Sequence, residues 1–169
     1  MSTELHTYHL SLGSNIEPRY DFLKQSITLL QKYLGEITAY SKIYETPAWG
    51  FESTPFLNAC IKIESKLPTK EALASIQKIE IEIGRIPKEG TNYEARPIDI
   101  DILYSSEGIF NYPDLVVPHT LLQKRKFVLI PLNDIASELV HPLLHESTAE
   151  LLEACKDNAE VKASFKFKV

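Results

Sequence analysis

Asp99 and Asp101 stand two residues apart in "ARPIDIDILY", residues 95–104, where isoleucine and aspartate alternate. Alternation of this kind marks a strand with one apolar and one polar face. It sends Ile98, Ile100 and Ile102 one way and both carboxylates the other. Cα atoms two residues apart in a strand are roughly 6.6 Å apart, so the carboxylates can lean together. At ~4 Å and an effective dielectric of about 20, their repulsion is about 4 kcal/mol. Water on an open strand face relieves that repulsion, and so does a divalent cation. One Mg²⁺, or a pair about 3.5–4 Å apart, suits oxygen ligands and is commonly shared with substrate phosphates. Arg96 lies directly upstream, Arg85 ends the preceding helical pattern, and His119 and Arg125 follow. Carboxylates able to hold a cation, among arginines able to grip phosphate bidentately, could form a metal–polyphosphate site. On these residues alone, a solvated strand face and a metal platform both remain open.

A second group could hold a flat heteroaromatic ring. Trp49, Phe51 and Phe56 offer stacking surfaces, and the Asn58 amide can read an edge carrying both donors and acceptors. The same residues also suit a core cluster beneath the Pro/Gly-rich loop 47–55. Gly13-Ser14-Asn15 follows a strand pattern and precedes a helical one, but lacks the Walker A spacing. It reads locally as a structural turn. Gln77 and Glu80 sit one helical turn apart beside an apolar stripe, where the edge of a solvated face is the simpler reading. His119 is a lone histidine in "VPHTLLQKRKF". His141 and His145 have no metal-ligand spacing and read as surface or capping residues.

The elements that must carry these residues follow from periodicity. Tyr8–Leu12 alternates as a first strand. Phe22, Leu23, Ile27, Leu30 and Leu34 recur at helical spacing, with Pro18 in the first turn and Gly35 at the stop. Residues 37–46 and 56–65 read as extended. Thr69 is a candidate N-cap for a second helix along Leu73, Ile76, Ile79 and Ile83, ending near Gly84. A polar loop, 87–94, leads to the strand of Asp99. The order β-α-β-β-α-β is the ferredoxin-like pattern. The tail mixes short strands with helical signals at 120–126, 128–137 and 147–155.

At 169 residues the chain fits one domain. Its net charge of −5 argues against a general nucleic-acid or membrane surface. The first ten residues lack a signal-peptide pattern and no apolar run is long enough to span a bilayer, so the expectation is cytoplasmic. Cys60 and Cys155 read as free thiols.

Taken in order, "LSLGSN" (10–15), "YETPAWG" (44–50), "FLNACIKIES" (56–65), "IQKIEIEIGR" (76–85), "ARPIDIDILY" (95–104), "VPHTLLQKRKFVLIPLNDIA" (117–136) and "ELVHP" (138–142) form a specific set. The chain resembles the 6-hydroxymethyl-7,8-dihydropterin pyrophosphokinases of folate biosynthesis from about residue 8 to 155. The resemblance implies a ferredoxin-like α+β sandwich that takes ATP and the pterin as its small-molecule substrates and acts as a monomer. The implied reaction moves pyrophosphate from ATP to the pterin hydroxymethyl group and releases AMP. Asp99 and Asp101 would hold two Mg²⁺ ions, with Arg85 and Arg96 as catalytic partners. Leu73, Gln77, Glu80, Arg85, Arg96, Ile102, His119 and Arg125 would lie along the ATP. Thr46, Pro47, Trp49, Phe56, Asn58, Tyr93 and Phe127 would line the pterin pocket, with Gly13-Ser14-Asn15 shaping the site.

Some positions depart from the family pattern. Glu94-Ala95-Arg96-Pro97 stands where Gly-Pro-Arg-Thr is usual, Pro87 where many members carry a second arginine, and Thr120 where some carry an aromatic. Two rival readings share the layout: a ferredoxin-like binding or regulatory module, and a metal-dependent phosphohydrolase. The acidic charge and the missing RNP1-like run oppose an RNA-binding module. The aromatic and Asn58 cluster argues for an acceptor ring in place of water.

Overall fold

The computed structural model describes residues 4–47, 54–84 and 96–168. Strand β1 (His6–Ser14) leads to helix α1 (Arg19–Tyr33). Strands β2 (Gly35–Tyr40), β3 (Ile43–Thr46) and β4 (Phe56–Ser65) follow, then α2 (Thr69–Ile83) and β5 (Asp99–Ser105). The tail adds a β6 (Phe110–Tyr112) and β7 (Leu115–Val117) hairpin, a 3₁₀ turn at Leu122–Lys124, α3 (Lys126–Ala136), α4 (Thr148–Ala154) and β8 (Lys162–Phe165).

The main sheet runs β5-β1-β4-β3-β8, with β2 on the same edge of β4 as β3. Its pairings are antiparallel. Without β8, and with β2 and β3 counted as one broken strand, this is the ferredoxin-like order. The break falls at Ser41, whose N–H donates to the Cys60 carbonyl and whose Oγ accepts the Cys60 N–H at 2.8 Å. Residues 37–46 are therefore two strands, because a side chain replaces one step of the ladder.

Period-two burial divides the sheet between two cores. Tyr8, Leu10, Leu12, Ile61, Ile63, Ile100 and Ile102 face α1 and α2. Leu23, Ile27 and Leu30 of α1 and Ala72, Ile76 and Ile79 of α2 cover them at helical spacing. On the other face, Cys60 and Leu103 pack with Leu129 and Leu132 of α3 and Leu151 of α4. Asp134 ties α3 to the sheet by accepting from the Tyr44 hydroxyl at 2.7 Å and the Lys42 N–H at 3.1 Å. Ser147 and Glu150 form a reciprocal capping box at the start of α4.

Several local expectations change. The first strand extends through Gly13 and Ser14, so these residues belong to β1 and not to a turn. Pro18 and Pro68 occupy the cap positions, and Thr69 is the first residue inside α2. The Thr69 hydroxyl is buried and bonds the Glu107 carboxylate, which also accepts the Thr69 N–H at 2.8 Å. A carboxylate from beyond β5 thus does the capping. Gly35 begins β2; a Cβ there would lie 1.9 Å from the Glu64 carbonyl oxygen, so close strand approach explains the glycine. The signal at 120–126 yields only the short 3₁₀ turn, because Arg125 is extended and starts α3 anew. His141 is buried beside Tyr104, and its Nδ1 accepts two turn N–H groups, so capping is its role and surface placement is not.

Candidate active site

The cleft forms on the α3 side of the sheet, where β1 ends and β4 and β5 begin. Antiparallel register places Asp101 opposite Ser11 and Asp99 opposite Gly13, while Gly13 also pairs with Asn58 on β4. Across three strands the order is therefore carboxylate, glycine, amide. A Cβ on Gly13 would stand 3.1 Å from Asn58 Oδ1 and 3.6 Å from Phe56 Cδ1. The bare glycine keeps a floor open between the acidic and aromatic ends. The walls come from Thr46, Pro47, Phe56, Arg96, His119, Arg125, Phe127 and Val128.

At the aromatic end, Asn58 and Thr46 are both buried, and Asn58 Nδ2 donates to Thr46 Oγ1 at 2.7 Å. That bond ties the Asn58 amide to β3 at the edge of the cleft. Phe56 and Phe127 supply apolar wall, and the Arg125 guanidinium carbon lies 5.6 Å from the Phe127 ring centroid. Arg125 thereby bridges the ring end and the acidic end, in a geometry that allows cation–π attraction.

At the acidic end, Arg96 Nη1 is 3.3 Å from Asp99 Oδ1. His119 Nε2 lies 4.0 Å from Asp101 Oδ2. His119 Nδ1 accepts the Leu121 N–H at 3.2 Å, so the neutral ring carries its proton on Nε2, toward Asp101. Burial holds the His119 pKa below its usual value, the Arg125 charge lowers it further, and Asp99 opposes both. The histidine therefore enters the site as a neutral donor at physiological pH. Two carboxylates on one face suit a hard cation such as Mg²⁺, which takes its remaining ligands from phosphate and water. Arg96 and Arg125 bring positive charge to the same end of the cleft, of a kind that can bind phosphate.

The sequence matches the family model described as 7,8-dihydro-6-hydroxymethylpterin-pyrophosphokinase (HPPK) over residues 9–137. The chain belongs to the HPPK family. A Porphyromonas gingivalis protein named 2-amino-4-hydroxy-6-hydroxymethyldihydropteridine pyrophosphokinase is 44% identical over 137 residues, covering 79% of this chain and 92% of its own. An Aquifex aeolicus protein of the same name is 39% identical over 145 residues, covering 85% and 89%. Among solved structures, wild-type Plasmodium falciparum HPPK-DHPS with pterin and p-hydroxybenzoate superposes at a TM-score of 0.73 and 17% identity. That match covers 90% of this chain and 42% of the Plasmodium chain, so the chain spans less than half of the larger protein. At that identity the likeness concerns the fold.

The HPPK-like residues Thr46, Pro47, Phe56, Asn58, Arg96, Asp99, Asp101, His119, Arg125 and Phe127 meet in the one cleft. Trp49, Arg85 and Tyr93 lie outside the described residues, as does Pro87. Leu73, Gln77, Glu80 and Ile102 are not brought to this cleft. Ile102 is buried in the core on the opposite face of β5, as the alternation requires. Leu73 packs half-buried against that core, and Gln77 is exposed on α2. Glu80 is not on a solvated face: it is 6% exposed and accepts the Ile100 N–H at 2.9 Å. It holds β5 between the two aspartates. Ser11, Leu103 and Val128 line the cleft without having been singled out. Ser11 was within reach of the same alternation, since it shares a face with Gly13; nothing local marks Val128.

Proposed function

We propose that the protein transfers pyrophosphate from ATP to the hydroxymethyl group of 6-hydroxymethyl-7,8-dihydropterin in folate biosynthesis, releasing AMP. One observation carries this reading beyond family membership: a ring-reading amide and a carboxylate pair open into one cleft, separated by the side-chain-free strip at Gly13. A pterin seated against Asn58 and Thr46, between Phe56 and Phe127, directs its hydroxymethyl group toward Asp99 and Asp101. The rival phosphohydrolase needs no such ring pocket, and a binding module needs no carboxylate pair.

Catalysis then rests on placement and charge. Asp99 and Asp101 would hold two Mg²⁺ ions, which when bound neutralise phosphate charge and polarise the reacting oxygens. Arg96 and Arg125 bind phosphate oxygens from either side, with Arg85 as a third candidate. His119 donates from Nε2 to a phosphate oxygen. The hydroxymethyl oxygen attacks the β-phosphorus in line as the bond to the α-phosphate oxygen breaks. Phe127 and Phe56 exclude water, which protects the transfer from hydrolysis. We place the enzyme in the cytoplasm as a monomer; among the described residues no helix is long and apolar enough to cross a membrane.

The deciding experiment supplies ATP, Mg²⁺ and the pterin and identifies the nucleotide product. AMP formed only when pterin is present is the expected result. ADP, or turnover that ignores the pterin, overturns the reading.

A further inference from the structure

The geometry points to Asn15 as a positioning residue for this transfer, fixing Arg96 by both of its peptide groups. Asn15 is 1% exposed and is not part of the cleft lining. Its Oδ1 accepts the Arg96 N–H at 2.8 Å, and its own N–H donates to the Arg96 carbonyl at 3.3 Å. Arg96 precedes β5 and belongs to no strand, so it has no ladder partner of its own. The next residue, Pro97, has no N–H to offer. Asn15 therefore holds Arg96 by bonds of the kind that β1 gives to β5 from Asp99 onward.

The consequence reaches the site through one side chain. With its Cα held, the Arg96 guanidinium meets Asp99 at 3.3 Å and faces the cleft. The residue type matters. Serine is too short to span to the Arg96 N–H while also pairing through its own peptide. Aspartate adds a third negative charge beside two carboxylates. The asparagine amide offers the acceptor without charge, and the N–H it meets dictates which end of the amide points there. Asn15 follows Gly13 by two residues, so the chain that leaves the floor bare aligns the arginine just past the end of β1.

This inference rests on the pyrophosphoryl-transfer reading. Asn15→Ala should lower kcat about ten- to a hundredfold, as a displacement near 1 Å of a positioning group does. Pterin affinity measured without ATP should stay unchanged, because Asn58 and Thr46 stand across the floor. In an Arg96→Ala background, Asn15→Ala should cost nothing further. Amide exchange on the wild-type protein tests the clamp even where the variant folds poorly: the Arg96 amide should be protected like those of β5. An active wild type with an equally active Asn15→Ala overturns the clamp alone. So do additive effects of the two substitutions, a matching fall in pterin affinity, or an unprotected Arg96 amide. A wild type without pterin-dependent AMP overturns the reading beneath it.

Discussion

Asp99 and Asp101 place two like charges on one face of β5, with Arg96 Nη1 3.3 Å from Asp99 and His119 Nε2 4.0 Å from Asp101. Replacing one carboxylate should remove the cation site. Asp101→Asn should lose the Mg²⁺-dependent rise in melting temperature that the wild type shows. Losing several kcal/mol of charge stabilisation should cut turnover on the order of a thousandfold. Melting curves with and without Mg²⁺ check the assignment. If Mg²⁺ stabilises Asp101→Asn as much as the wild type, the carboxylates do not hold it. These aspartates were legible because strand alternation puts them on one face whatever the fold. Glu80 was not, since its partner is an N–H of β5 supplied only by packing α2 against that strand.

Two glycines in strands do different work, and the difference is measurable. Gly35 abuts backbone: a Cβ would lie 1.9 Å from the Glu64 carbonyl oxygen and 2.8 Å from its carbon. Gly35→Ala should push β2 off β4 and lower the melting temperature by more than about 5 °C, as a loss of roughly 2 kcal/mol does. Gly13 abuts side chains, with Asn58 Oδ1 at 3.1 Å the nearest atom. Gly13→Ala should keep the fold and weaken pterin binding about tenfold, near 1.4 kcal/mol. Thermal unfolding and ring-binding titration of both variants separate the cases. Equal loss of stability in the two, or normal ring binding by Gly13→Ala, would refute the division. Neither role was visible locally, because each depends on which strand lies alongside.

For the whole molecule, buried histidines set the response to acid. Burial, helped by Lys62, pushes His9 down from 6.5 to about 4. His119 and His141 are also held below their usual value, chiefly by burial. Each takes up a proton more readily when the chain unfolds, so the stability they contribute is present above about pH 6.5 and drains as pH falls toward their folded values. His9 alone accounts for roughly 3 kcal/mol between pH 6.5 and 4. Glu107, held low chiefly by its bonds to Thr69, adds a loss of the same sign below its usual range. Urea unfolding at pH 7.5, 6 and 4.5 should show falling stability, with a shallower slope in His9→Gln. An unchanged slope in that variant would remove His9 as the cause.

The amino-acid sequence by itself determined the strand and helix periods, the shared face of Asp99 and Asp101, and the ordered motifs that place the chain in the HPPK family. Those features are local, because a side chain's face depends on its own backbone period. Tertiary structure decided what crosses between elements: Gly13 as a bare floor between Asn58 and Asp99, Glu107 capping α2, and Asn15 holding Arg96 across 81 positions. Each needs a donor, an acceptor or an empty space from a distant segment. Only the antiparallel register of β5, β1 and β4 brings those segments together.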